Sequence, residues 1–221
     1  MKKKNGFVSM VGLGTSLLVV SSVAAQGAEK GPFLNFDAGV ALAEDVDLKK
    51  FIVPVSGVKV EFDPGARFSV GGGYNFNEYI GIGIETGFIY NSVDKLKGGG
   101  GSFSDLDASL SHVPMMANVT LRYDKPDVKW LPYAGFGAGG DISILNISEF
   151  AGSNVDETDS DVVFAWQAFA GLRYKITPQI SLGGGYKYYW ADDAELNISG
   201  ADIKQGSAGI HSFVLSFNFS F

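Results

Sequence analysis

The chain has 221 residues with no cysteine, 30 glycines, 19% charged residues and a formal net charge of -7. The missing cysteine excludes disulfides, thiolate catalysis, cysteine-ligated metal and lipid attachment through a terminal cysteine, and the acidic balance argues against a nucleic-acid partner, which wants a basic surface. Glycine at roughly twice its average usage points to tightly packed sheet or glycine-rich loops.

Residues 1–25 have the anatomy of a secretory signal: Lys2, Lys3 and Lys4, then an apolar centre with Leu13, Leu17, Leu18, Val19 and Val20, then small residues up to Ala25. The apolar centre is shorter than the roughly 20 residues a spanning helix needs. Cleavage after Ala25 is therefore expected, leaving residues 26–221 as the mature domain. Losing three lysines takes the net charge from -7 to -10.

From there the sequence alternates with a period of two, the mark of strands with two different faces. The first segment sets Leu34, Phe36, Ala38, Val40 and Leu42 against Asn35, Asp37, Gly39 and Ala41. Phe68, Val70, Tyr74 and Phe76 then alternate with Arg67, Ser69, Gly71, Gly73 and Asn75, and Ile80, Ile82, Ile84, Phe88 and Tyr90 with Gly81, Gly83, Glu85 and Gly87. The fourth segment separates Val113, Met115, Ala117, Val119 and Leu121 from Met116, Asn118, Thr120 and Arg122; the fifth sets Phe136 among Gly135, Gly137 and Gly139. The sixth opposes Phe164, Trp166, Leu172, Tyr174 and Ile176 to Gln167, Phe169, Gly171, Arg173 and Lys175; the seventh opposes Ile180, Leu182, Tyr186, Tyr188 and Trp190 to Ser181, Gly183, Gly185 and Lys187. The eighth, "SFVLSFNFSF", carries Phe213, Leu215, Phe217, Phe219 and Phe221 on one face.

Connections at 77–79, 124–130 and 177–179 are short, whereas those near 44–60, 92–112, 141–161 and 191–208 are long. Short and long strictly alternate, so the short turns share one end of an up-and-down meander and the long loops the other, as in outer-membrane barrels. An eight-stranded barrel has an interior just wide enough for side chains. The glycine, serine and asparagine face fits that interior, and the aromatic and aliphatic face must point outward. In water such a belt would be a very large apolar patch; in lipid it is the required surface, and closure leaves no unpaired edge. The predicted fold is all-β, an eight-stranded antiparallel up-and-down transmembrane β-barrel. A soluble lipocalin-like barrel would invert the two faces.

The stretches "HVPMMANVTLRY", "LPYAGFGAGG" and "FAWQAFAGLRYKITPQISLGGGYKYYW" together with the terminal Phe resemble the outer membrane β-barrel family of opacity-type surface proteins, the OmpA membrane domain and porin-family surface antigens. The resemblance spans about residues 33–221. It implies Gram-negative outer-membrane localisation, and that Phe213, Leu215, Phe217, Phe219 and Phe221 form the signal read by the barrel-assembly machinery. It also implies that no counterpart of OmpA's peptidoglycan-binding module follows Phe221. It says little about activity, because this fold hosts adhesins, small pores, structural proteins and a few enzymes.

Two histidines and no cysteine leave few partners for catalysis. His211 and Ser212 are adjacent on a strand and point to opposite faces; His112 reads as an interfacial or loop residue. No catalytic, metal or cofactor site is predicted. Arg67, Glu85, Arg122, Arg173, Lys175 and Lys187 fall on the inner face, where charges have to be paired. A polar network plugging the lumen is the expectation, and a pore lining the alternative. Acids crowd 141–161 (Asp141, Glu149, Asp156, Glu157, Asp159, Asp161) and 191–208 (Asp192, Asp193, Glu195, Asp202). A solvated surface is the simpler reading; capture of divalent cations or a basic partner is the functional one. "GGGGS" at 98–102 reads as flexible linker. The expected protein is a surface or structural barrel embedded in outer-membrane lipids, adhesin-like through its external loops toward a surface ligand or host partner. The rivals are a narrow passive channel and, more remotely, a lipid-modifying enzyme.

Overall fold

A computed structural model describes residues 30–51, 53–54, 57–98, 101–103, 106–150, 153–198 and 201–221. The predicted signal peptide, and Gly99 and Gly100 of the predicted linker, lie outside them. The strands in chain order are β1 (Gly31–Ala43), β2 (Val46–Phe51), β3 (Val53–Pro54), β4 (Lys59–Phe62), β5 (Gly65–Asn75), β6 (Ile80–Gly98), β7 (Gly101–Phe103) and β8 (Leu106–Arg122). They continue with β9 (Trp130–Phe150), β10 (Ser153–Lys175), β11 (Ile180–Ala191), β12 (Ala194–Ile198), β13 (Ala201–Gln205) and β14 (Ala208–Ser220).

Eight of them close a ring of antiparallel neighbours, β1-β5-β6-β8-β9-β10-β11-β14 and back to β1. The closing ladder runs from Phe33 opposite Ser220 to Ala43 opposite Ile210. These eight are the predicted strands in the predicted order. The short turns gather at one end, which by the layout of such barrels is the periplasmic end. Side-chain caps shape two of them: Asn77 Oδ1 accepts the amides of Tyr79 (2.8 Å) and Ile80 (2.9 Å), and Thr177 Oγ1 accepts those of Gln179 and Ile180.

The faces divide as volume requires. Leu215 is 76% and Ile84 74% exposed on the outer wall, while their inward neighbours Ser216 and Glu85 are buried. Two aromatic girdles bound this apolar belt. Tyr79 lies beside Tyr123 and Trp130 edge-on to Tyr174 at the periplasmic rim; Phe136, Trp166, Tyr188 and Trp190 pack together toward the other rim. Inside, two aromatic rings use glycine gaps. Phe169 pairs across the ladder with Gly135, and Tyr133 with Gly171. A Cβ on Gly171 would lie 2.5 Å from the Tyr133 hydroxyl, and one on Gly135 2.3 Å from the Phe169 ring.

The long external connections correct the sequence reading. Residues 92–112 and 141–161 are mainly strand rather than loop: β6 runs on to Gly98, and β9 and β10 have 21 and 23 residues. About 9–11 tilted residues span a bilayer, so β9 and β10 rise far above it. Beyond Ser92 opposite Ser109, β6 leaves β8 and pairs with β4 and β7. Glu61 of β4 binds Lys95 and Lys97 of β6, and the Lys97 hydrogen bond holds its carboxyl below the usual range. The 191–208 connection is a β12–β13 hairpin whose Leu196 and Ile203 are buried over the external mouth of the ring.

The outward position of Leu215 carries a direct test. Leu215→Arg should weaken folding into lipid vesicles by about 2–4 kcal/mol, whereas Ser160→Arg, exposed on β10 above the belt, should change it by less than about 0.5 kcal/mol. Urea titration of refolded protein reads both, and equal losses would contradict the placement of the belt.

Candidate functional site

The inner face of the ring brings charge together at mid-height. Lys187 Nζ stands 2.6 Å from Asp37 Oδ2 and 2.9 Å from both carboxylate oxygens of Glu85. Arg67 Nη2 lies 3.3 Å from Glu85 Oε1 and donates to Gln167 Oε1 at 2.7 Å. Gln167 Nε2 in turn donates to Asn118 Oδ1 at 3.0 Å, and Asp37 accepts from Ser216 Oγ at 2.6 Å. Two cations and two carboxylates balance, and every barrel strand except β9 contributes a side chain. Strand parity alone aims them at one another, because residues i and i+2 share a face and the ring is only eight strands around.

Above this network the lumen turns apolar. Ala41, Ile89, Met116, Ala165, Tyr189 and Ile210 form a buried layer that continues into Val163, Ala194, Leu196 and Ile203 beneath the external hairpin. One polar pair is embedded there: His112 Nδ1 lies 2.6 Å from Asp141 Oδ2, with the Tyr189 ring edge-on to the imidazole at 5.8 Å. Both side chains are sealed from solvent. This corrects two expectations, since His112 is a lumen residue and not an interfacial one, and Asp141 is buried with a basic partner. His211 and Ser212 diverge as predicted. His211 faces outward between Tyr186 and Glu44, and Ser212 is buried within.

Below the network lies the periplasmic mouth. Asp124 binds both Arg122 (3.1 Å) and Lys175 (2.5 Å). Arg173 donates to Asn35 Oδ1 at 2.9 Å and lays its guanidinium 4.0 Å over the Tyr133 ring. A cavity of about 60 Å3 sits between the mouth and the central network. Of the six charges predicted for the inner face, Arg67, Glu85 and Lys187 therefore meet at the centre, Arg122 and Lys175 share a mouth carboxylate, and Arg173 stands apart from both. Sequence reasoning missed Asp37, although its inward parity was visible, and Asp124, which lies in what read as a turn.

Four of the external acids have partners. Asp159 Oδ2 accepts the Asn197 amide at 2.6 Å and Asp161 Oδ2 that of Glu195 at 2.9 Å, so β10 holds the edge of β12 through carboxylates. Lys49 pairs with Asp193 and Lys204 with Glu195. Among the described residues no group of three or more His, Asp or Glu is arranged to hold a metal ion.

The family model described as "Outer membrane protein beta-barrel domain" matches residues 15–221. No curated protein matches the sequence. Among solved structures, outer membrane protein OprG from Pseudomonas aeruginosa is similar at a TM-score of 0.58 and 13% identity, over 90% of this chain and 100% of that one. Neisserial surface protein A aligns at 0.50 and 15% identity, over 86% and 97%. The Escherichia coli outer membrane protease OmpT aligns at 0.54 and 7% identity, over 90% and 99%. At these identities the likeness is one of fold.

Deleting one member of the central network should strand its partners in a poorly hydrated interior. Glu85→Gln and Lys187→Met should each cost about 3–5 kcal/mol of stability, and the double variant should cost clearly less than both losses combined. Strict additivity in urea unfolding would show that the two groups do not interact.

Proposed function

This chain belongs to the outer membrane protein β-barrel family, and from that premise we propose that it is a closed, non-enzymatic surface protein. In this reading the barrel anchors and the external strands make contact. Its setting in the outer membrane and its embedding in membrane lipids come with the family and the fold. The reading of a plug rests chiefly on one observation: the Lys187 ammonium is clasped by Asp37 and Glu85 across the lumen while Arg67 and Gln167 close the remaining width. The layer above it supports the same reading, because Ile89, Tyr189 and Ile210 are buried there and its polar groups His112, Asp141 and Ser143 are sealed from solvent as well.

With the lumen closed, what is left to act on the outside is the extension of β6 and β8–β10 with the β12–β13 hairpin. Its exposed carboxylates favour a partner with a basic surface, in the manner of an adhesin. The His112–Asp141 pair is enclosed, so a substrate has no route to it, which weighs against the enzyme reading. The outward row Phe213, Leu215, Phe217, Phe219 and Phe221 is proposed as the strand presented to the assembly machinery, after a signal peptide ending at Ala25 has been removed.

Planar-bilayer recording of refolded protein tests the plug. The wild type should give no steady conductance, while Glu85→Ala should flicker with anion preference as Lys187 and Arg67 lose their counter-charge. Steady, large channels from the wild type would establish the narrow passive channel instead.

A further inference from the structure

The lumen has two unlike ends. Outward of the central network it is filled by buried apolar side chains and the enclosed His112–Asp141 pair. Toward the periplasm Asn35, Thr120, Arg122 and Arg173 are partly accessible, while Asp37, Arg67, Glu85 and Lys187 above them are buried. The cavity between is therefore a pocket entered from one side.

The side chains that line it include three cations, Arg122, Arg173 and Lys187, and two carboxylates, Asp37 and Glu85. At the centre two cations meet two carboxylates, and the cavity's acidic wall, Asp37 and Glu85, is already bound to Lys187. At the mouth Arg122 and Lys175 both pair with Asp124. Among the described residues Arg173 has no carboxylate within ion-pair distance. Its Nη2 is engaged by Asn35, but its Nε is shielded from solvent and has no hydrogen-bond partner. An unpartnered donor on a charged group is costly to bury, and the Arg173 side chain lines a cavity of about 60 Å3. That is more room than the ~30 Å3 share of one water.

The guanidinium is also held still. Its face lies 4.0 Å over the Tyr133 ring, and Tyr133 is itself seated against Gly171 and Gly185, where a Cβ would come within 2.5 Å of its hydroxyl. A stacked arginine keeps its N–H edge free, and that planar fork matches the oxygens of a phosphate or carboxylate. Low-dielectric walls concentrate the field of an uncompensated cation, so a protein of net charge -7 still presents a positive recess here.

We propose that the periplasmic mouth of the lumen is a binding site for a small oxyanion, a phosphate or carboxylate group, received by Arg173 with Arg122 beside it. The site is separate from the external surface and does not depend on what that surface binds. Inorganic phosphate and acetate are the probes, titrated at constant ionic strength into protein refolded in micelles while the Arg173 Nε–H resonance is followed by NMR. A saturable shift with millimolar phosphate, acetate or both is expected, with chloride ineffective. Arg173→Gln should weaken binding, read by calorimetry, about tenfold or more. Arg173→Lys, which keeps the charge and loses the fork, should fall between, and Lys59→Gln on the external β4 should bind like the wild type. Should Arg173→Gln fail to give the compact heat-modifiable band of a folded barrel, the wild-type titration and Arg173→Lys still decide. No saturable shift at Arg173 with either oxyanion, an equal response to chloride, or unchanged affinity in a folded Arg173→Gln would each overturn the proposal.

Discussion

The narrowness of the ring governs the rest of the molecule. Eight strands enclose a space that side chains alone can fill, and closure is what satisfies the backbone in lipid. Any ionised group on the inner face is then close to every other one and far from bulk water. Charge balance at the centre follows from this: Lys187 touches Asp37 and Glu85 at once because no arrangement with a free ammonium would be tolerable there. The glycines of the inner face belong to the same constraint. They give back the width that Tyr133 and Phe169 occupy, and so allow aromatic rings to brace Arg173 and Lys187.

Much of this was legible in the sequence because a barrel strand repeats every two residues and the inner and outer solvents differ so sharply. The alternation around Phe36, Ile84 and Leu215 revealed both the strand and its orientation. What the alternation could not reveal was register. Inward parity makes Asp37, Arg67, Glu85 and Lys187 candidates, yet only the stagger of the ladders decides that they share a level while Arg173 lies below them. Ends of strands were equally hidden. Above the bilayer both faces of β9 and β10 meet water or protein, so the contrast that marks a lipid-facing strand fades and 141–161 reads as loop. His112 was misplaced for a related reason, since a polar residue at the start of an apolar run looks like a boundary until its partner Asp141 is known.

The lumen is stratified more finely than a single polar face suggests. Most charged groups occupy the centre and the periplasmic mouth, whereas Ile89, Met116, Tyr189 and Ile210, with the His112–Asp141 pair among them, cap them from outside. These residues have inward parity and were available to inspection, but a glycine-rich average concealed them. The cap and the ionic core below it are both buried, whereas Asn35, Thr120, Arg122 and Arg173 on the periplasmic side are partly accessible.

Above the membrane the wall keeps its main-chain ladders except along two seams. Within the ring, each strand is joined to the next by main-chain ladders. Higher up, β6 parts from β8, and β10 meets β12 through the carboxylates of Asp159 and Asp161. A side-chain stitch must freeze rotamers that a ladder does not, and it can be undone one link at a time. The molecule thus combines a cooperative cylinder with a rim able to part along seams while the cylinder stays intact.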